Sequence, residues 1–118
     1  MGLNRYFSIQ AEFKDGSPIE DIDLADRIKS RFDEIYGYWE GQLADDDCIT
    51  LDGVSWYSFD EDMSQIANEF PDILFTGHCE GECIDDIWDF GICGNRTDFQ
   101  TATIPPLRMD YLRGNANE

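Results

Sequence analysis

The hydrophobic positions of this chain change period several times, and each change predicts a new element. From Arg5 to Phe13 every second residue is apolar, which is the period of a strand with one buried face. A helical period follows, with apolar positions three or four residues apart: Leu24, Ala25, Ile28, Phe32 and Ile35. Ser17, Pro18 and Glu20 suit a capping box with proline in the first turn, so this helix is predicted to begin there and to end near Tyr36.

The middle of the chain has shorter patterns. Residues 38–47 are predicted to form a loop, and residues 48–59 one or two strands broken at the hairpin-type dipeptide Asp52-Gly53. Asp60 is predicted to cap a second helix, whose apolar positions are spaced i, i+3, i+4 and i+7: Met63, Ile66, Ala67 and Phe70. Pro71 ends this helix, because the residue before a proline is pushed out of the helical conformation.

The last part of the chain predicts more strands. Residues 73–79 form one strand, residues 80–86 an acidic connection, and residues 87–93 a hairpin with residues 97–104. The order β-α-β-α-β-β predicts an α+β protein, with a mostly antiparallel sheet and two helices on one face, as a ferredoxin-like variant. We expect a single acidic domain over residues 1–118, with an ordered core over about residues 4–107 and a C-terminal tail over residues 108–118.

Composition changes the picture from an ordinary small domain to a strongly acidic one. The 118 residues include 26 Asp and Glu against 8 Lys and Arg, so the formal net charge is −18. Between Arg31 and Arg96 there is no Lys or Arg, but there are 17 Asp and Glu residues and all three tryptophans. Because 42% of the residues are hydrophobic and 14% aromatic, the chain has the side chains for a core and is not a disordered acidic tail.

This charge excludes several kinds of function. Direct binding of nucleic acid requires a basic patch, and the bases Arg27, Lys29 and Arg31 are outweighed by the carboxylates around them. No segment contains the ~18 apolar residues that span a bilayer, and the first ten residues do not have the layout of a signal peptide. We therefore expect no nucleic-acid binding, no membrane binding and no export.

Cysteine and histidine residues suggest a zinc site at first sight. His78, Cys79 and Cys83 are close in sequence, and Cys48 and Cys93 lie on other predicted strands. Their spacing contains no CxxC pair, so reduced thiols are the simpler interpretation. The acidic clusters do not match a calcium-binding loop, and no catalytic or phosphate-binding motif is present. We therefore predict no enzyme activity, no metal and no cofactor.

A positively charged protein is the partner that this composition predicts. Carboxylates form charge-assisted hydrogen bonds with Arg as phosphate does. Eighteen net charges correspond to roughly 30 Å of duplex DNA, which is close to the ~35 Å diameter of a compact domain of this length. We expect the acidic groups to lie together on one rigid flank. The predicted partner-binding residues, with Tyr57 and Trp88 as aromatic anchors, are Asp45, Asp46, Asp47, Tyr57, Asp60, Glu61, Asp62, Glu80, Glu82, Asp85, Asp86, Trp88 and Asp89.

The segment from Trp56 to Pro106 carries a family resemblance. The residues concerned are Trp56, Asp62, Met63, Phe70, Pro71, Glu80, Gly81, Glu82, Asp86, Trp88, Pro105 and Pro106. In these positions the chain resembles small proteins of phages and mobile elements with a ferredoxin-like domain of the plasmid YubB type, a family that implies no activity. By type rather than by motif, it is also similar to short acidic phage proteins that imitate DNA. That likeness implies an inhibitor of a CRISPR effector or a restriction complex, located in the cytoplasm of the bacterial host.

Other interpretations fit the same charge. The chain could be an acidic interaction module that binds a basic host or phage protein without competing with nucleic acid, and an exposed strand would allow a homodimer. The acidity could also serve only solubility or adaptation to high salt. A competition experiment distinguishes the module from a DNA mimic, because only a mimic must displace nucleic acid.

Overall fold

The computed structural model describes residues 5–45, 47–81 and 86–101, together with Gly114. Within these residues the elements are β1 (Arg5–Phe13), α1 (Ile22–Ile35), β2 (Glu40–Gly41), β3 (Cys48–Val54), α2 (Phe59–Glu69), β4 (Ile73–Glu80), β5 (Ile87–Cys93) and β6 (Arg96–Thr101). The strands form one antiparallel sheet in the order β2-β3-β1-β4-β5-β6. The predicted α+β class and the antiparallel sheet are therefore confirmed.

The alternating strand β1 lies in the interior of the sheet, between β3 and β4. Phe7, Ile9 and Ala11 of this strand are all buried, as the period of two requires. Residues paired across a ladder share a face, so β3, β4 and β5 extend the same apolar surface. Its buried members on those strands are Ile49, Leu51, Ile73, Phe75, Cys79, Phe90 and Ile92.

Both helices pack on this apolar face. The ring of Phe32 on α1 lies 6.0 Å from that of Phe75 on β4, measured between centroids. The ring of Phe59 on α2 lies 5.7 Å from Phe7 and 4.9 Å from Phe90. The prediction of two helices on one face of the sheet is therefore confirmed, and the helices leave the opposite face of the sheet polar.

The first helix begins later than the sequence pattern predicts. Its N-cap is Asp21, whose side chain accepts hydrogen bonds from the backbone N–H groups of Asp23 (3.0 Å) and Leu24 (3.4 Å). The predicted capping residues belong instead to a turn, in which the N–H of Ser17 donates to Asp15 Oδ1 and Pro18 bridges to β1. The predicted end is correct, because Tyr36 is the C-cap.

Residues 38–59 also differ from the prediction. The loop contains the two-residue strand β2, and Asp52-Gly53 forms a bulge in β3 rather than a hairpin. Arg5 pairs with Val54 and Phe7 with Leu51, so two residues of β3 lie opposite one residue of β1. Gly53 has a φ of +71°, which suits glycine at a bulge. The second helix begins at Phe59 with Ser58 as its N-cap residue, so Asp60 lies inside the first turn.

The end of the chain contributes one described strand, β6. It begins at Arg96, one residue before the predicted start, and is described to Thr101. The predicted continuation to residue 104 and the tail over residues 108–118 lie outside the described residues, apart from Gly114. Neither described helix has the length and apolar character needed to cross a membrane.

Candidate functional site

The sheet has two ends, and the predicted partner-binding residues are divided between them. We call one of them the Arg5 end, because β1 starts there; β5 also starts at this end, and β3 and β4 finish there. The opposite end is the Phe13 end. Helix α2 begins at the Arg5 end, soon after β3 stops. This end therefore collects most of the described residues in the predicted set: Tyr57, Asp60, Glu61, Asp62, Glu80, Asp86 and Trp88.

Asp45 and Asp47 lie at the Phe13 end instead. They precede β3, whose first residue pairs with Gln10 near the end of β1, and the N–H of Asp45 donates to the carbonyl of Ile19. The predicted single acidic flank is therefore wrong, because the loops that carry these groups leave opposite ends of the sheet. Asp89 lies on the polar face, and the predicted residues Asp46, Glu82 and Asp85 are outside the described residues.

Two of the predicted carboxylates accept hydrogen bonds from partly buried side-chain donors. Asp86 accepts from Arg5 Nε at 2.8 Å and from Arg5 Nη2 at 3.3 Å, which joins β1 to the residue before β5. Asp62 accepts from Trp56 Nε1 at 2.7 Å and from the hydroxyl of Ser58 at 2.9 Å. Since removing either carboxylate would leave a partly buried donor unpaired, these two groups serve the fold.

Other carboxylates of the set remain available. Asp45, Asp60 and Glu61 are exposed, and their side chains have no hydrogen-bond or ion-pair partner among the described residues. Asp45 has a φ of +56°, a left-handed conformation that Asp tolerates better than most residues. Free carboxylates are thus present at both ends of the sheet.

The basic residues offset only a small part of the negative charge, because there are 8 Lys and Arg against 26 Asp and Glu. Besides Arg5, Lys14 Nζ lies 3.3 Å from Asp72, and Arg31 bridges Glu34 and Glu69. Of the bases in the described ranges, only Arg27, Lys29 and Arg96 have no carboxylate partner there. The exposed charge of the described residues is therefore predominantly negative.

His78 is held between two acidic side chains on the polar face of the sheet. Its Nδ1 lies 2.5 Å from Asp89 Oδ1 and its Nε2 lies 3.0 Å from Glu80 Oε1. The hydrogen bond with Asp89, and then that with Glu80, raises the pKa of His78 above its ordinary value of 6.5. When it is protonated, the imidazolium compensates part of the charge of these two carboxylates.

This arrangement predicts a pH-dependent contribution to stability. Because folding raises the pKa of His78, its contribution is fully present below pH 6.5 and is lost as the pH rises through the raised value. The wild-type protein should thus have a stability advantage over His78→Gln at about pH 6 that shrinks by about pH 8.5. Urea unfolding of both proteins at the two pH values measures it. An advantage that is constant or grows with pH would contradict the expected ion pairs.

The aromatic residues of the acidic half have two different roles. Trp39 and Trp56 are buried and belong to the core. Tyr57 is 80% exposed, and Trp88 is partly buried against the core. With Phe99 of β6, Tyr57 and Trp88 line a cavity of about 390 Å3 at the Arg5 end, which we call the Tyr57 pocket; its other lining residues are Arg5, Trp56, Phe59, Asp60 and Thr101.

Sequence reasoning missed Phe99 as a member of this site. The residue pairs with Phe90 of β5 and shares the apolar face, yet it is 47% exposed. All of β6 is exposed, so α2 does not extend over this strand. Its alternation with Thr97 and Thr101 predicts a strand, but only the sheet order reveals that neither α1 nor α2 covers it.

The cysteines do not assemble with His78 in the described residues. Cys79 is buried on the apolar face, and burial raises the pKa of its thiol to about 12, whereas its neighbour His78 lies on the polar face. Cys48 and Cys93 lie on strands separated by β1 and β4, hence about 14 Å apart or more. Cys83 is outside the described residues, and within them no cluster of three or more ligating side chains could hold a metal ion.

Comparison of the chain with protein-family models, with curated proteins and with solved structures found no match. The functional argument therefore depends on the charges, contacts and cavities of this molecule. The likeness to acidic phage proteins remains a prediction from the sequence.

Proposed function

We propose that this protein is a non-enzymatic inhibitor that imitates the charge of DNA and occupies the nucleic-acid groove of a bacterial defence complex. The observation that carries the proposal is the unbalanced surface: the net charge is −18, and Arg5, Lys14 and Arg31 are paired with carboxylates of the same chain. A Lys- and Arg-lined groove attracts such a surface as it attracts phosphate. A CRISPR effector is the target we favour, and a restriction complex is the next.

The spacing of the free carboxylates supports this proposal. Strand β1 has nine residues and is therefore roughly 30 Å long, and Asp45 and Asp60 lie near its opposite ends. One turn of duplex DNA has a similar length, about 34 Å. The polar face between the ends carries Asp98, which adds negative charge there, and Asp89, whose carboxylate is bonded to His78. Such a footprint would engage a groove rather than a single basic residue.

We also propose a ferredoxin-like unit within the sheet. The order β2-β3-β1-β4, with α1 between β1 and β2 and α2 between β3 and β4, supports this finer assignment. Strands β5 and β6 extend the unit at its β4 edge. A sheet that is covered by two helices holds its terminal loops at fixed separation, as imitation of a stiff duplex requires.

A competition experiment tests the proposed function. Labelled target duplex is bound to purified CRISPR effectors and restriction complexes, the protein is added in increasing amounts, and free duplex is resolved on a native gel. We expect duplex to be released from at least one complex. Direct binding of the protein to that complex, measured without duplex, should weaken as salt is raised because the contacts are ionic. Retention of duplex by every complex, including those that bind the protein, would contradict inhibition by imitation.

One observation favours a second function. The exposed Tyr57 beside an aromatic pocket is a feature that a phosphate backbone does not have, and aromatic anchors are typical of protein-protein interfaces. This supports an acidic interaction module that binds a basic host or phage protein without competing with nucleic acid. In the same gel, a complex shifted by both the protein and the duplex would favour the module.

A further inference from the structure

Exposed apolar side chains are concentrated at the Tyr57 pocket. In the described ranges, the large hydrophobic side chains that are exposed are Ile22 (55%), Tyr38 (75%), Tyr57 (80%) and Phe99 (47%). Two of these four, Tyr57 and Phe99, line the same cavity although 42 positions separate them in the sequence. Single exposed apolar residues need no explanation, but two that converge on one cavity indicate a place where a partner binds.

Aromatic rings form the walls of the pocket. The ring of Trp88 lies 5.1 Å from Phe59 and 6.0 Å from Phe99, between centroids, with a 54° angle between Trp88 and Phe99. Phe59 is 7% exposed and anchors this cluster in the core. The cavity of about 390 Å3 is within the usual range for sites that receive a small molecule or one large side chain.

The charge at the pocket is negative. Arg5 also lines it, but Asp86 compensates the guanidinium through two hydrogen bonds. Asp62 is occupied by Trp56 and Ser58. Asp60 is the carboxylate that lines the pocket, and its side chain has no partner among the described residues. Aromatic faces next to an uncompensated carboxylate form a site for an organic cation.

We propose that the Tyr57 pocket receives an arginine side chain of the basic protein to which this chain binds. Arginine fits better than lysine because its planar guanidinium is weakly hydrated, stacks on aromatic rings and forms paired hydrogen bonds with a carboxylate. In this arrangement the guanidinium lies against Trp88 and Tyr57 and donates to Asp60. The inference rests on the proposed function, since it identifies which side chain of the target is bound and where.

A titration with small probes tests the pocket on the intact chain. Nα-acetyl-arginine N-methylamide is added to isotope-labelled protein, and aromatic and amide NMR signals are followed. Nα-acetyl-lysine N-methylamide is the control of equal charge, and the citrulline analogue is the neutral control of equal shape. We expect saturable shifts at Trp88, Phe99 and Thr101, with an affinity for the arginine probe about five-fold above that for either control, a factor typical of an exposed cation-aromatic contact.

Single substitutions, each with a matched control, show whether the arginine probe binds in the Tyr57 pocket. Tyr57→Ser and Asp60→Asn should each weaken the arginine probe about three-fold or more, as expected for loss of one cation-aromatic or carboxylate contact. Tyr38→Ser removes an equally exposed tyrosine, and Asp33→Asn an equally unpaired carboxylate, and neither should change the affinity. The changed side chains are exposed, so the amide spectrum should show that all four variants remain folded.

Two results would overturn the proposal. One is a lysine probe that binds the pocket as well as the arginine probe, and the other is an arginine probe whose shifts are spread over the acidic surface and are unaffected by Tyr57→Ser. Neither result bears on displacement of duplex by the whole protein. If duplex is released while the pocket shows no preference for arginine, the proposed function stands and the arginine site fails. If the pocket prefers arginine but no duplex is released, the arginine site stands and the proposed function fails.

Discussion

A triple variant Asp45→Asn, Asp60→Asn, Glu61→Gln is expected to bind the defence complex about 100-fold more weakly than the wild-type protein. These carboxylates have no partner among the described residues, so their charge is available to Lys and Arg of the target. If each forms one ionic hydrogen bond worth about 1 kcal/mol, the loss is about 3 kcal/mol, or about two powers of ten in Kd. Equilibrium binding by fluorescence anisotropy measures the change.

The matched control changes the same number of charges elsewhere. Asp23, Asp26 and Asp33 are exposed on α1, and their side chains have no partner among the described residues. Neutralising all three gives the same net charge as the triple variant. We expect this control to lower the affinity less than about five-fold, through the long-range field alone. Equal losses in both variants would mean that total charge acts, rather than the two ends of the sheet.

Gly77→Ala is expected to destabilise the fold by about 1–3 kcal/mol, a typical effect of overpacking a core. Gly77 lies on the apolar face of β4, opposite Ile9 and Phe90. A Cβ at this position would lie 2.4 Å from two ring atoms of Phe90 and 2.8 Å from the carbonyl oxygen of Ser8. The carbonyl of Ser8 belongs to the central strand β1, so this contact is relieved only by moving the backbone, and the ring of Phe90 is packed among Phe59, Trp88 and Phe99. Urea unfolding monitored by tryptophan fluorescence measures the loss.

Gly91→Ala provides the comparison within the same sheet. Gly91 faces the polar side of β5, where a Cβ would meet its nearest atoms at 3.9 Å. Since glycine weakens a strand interior, alanine here should be neutral or stabilising by up to about 1 kcal/mol. A destabilisation equal to that of Gly77→Ala would show that loss of glycine, rather than the contact with Phe90, explains both results.

The sequence predicts the sheet better than its connections. The strict alternation in β1 gives its bounds correctly, because each inward position meets the apolar core. The start of α1 is wrong because two capping signals compete, and the side chain of Asp21 bonds the first turn while Ser17 remains in the preceding turn. Strand β2 is too short for a periodic signal, and the bulge at Gly53 resembles a hairpin unless the pairing of β3 with β1 is known.

For the candidate site, the sequence predicts how many carboxylates there are, but not which of them are already paired within the chain. Asp86 is paired with Arg5, 81 positions away, and no local pattern reveals this bond. Charge reversal at Asp86, which the sequence alone would recommend, would disturb the junction of β1 and β5 as well as any partner. The Tyr57 pocket likewise depends on long-range contacts. The β5–β6 hairpin brings Phe99 beside Trp88, but Tyr57 and Asp60 join them only because α2 packs on the sheet.

The most direct test of DNA imitation is the affinity of the protein for its target complex at increasing concentrations of unlabelled target duplex. If both occupy one groove, the apparent Kd of the protein must rise in proportion to duplex concentration once the duplex exceeds its own Kd, because each bound duplex removes one site. We predict this linear rise without a plateau. A Kd that stays constant, or that levels off at a finite value, would mean that protein and duplex bind the complex together, and would contradict the account.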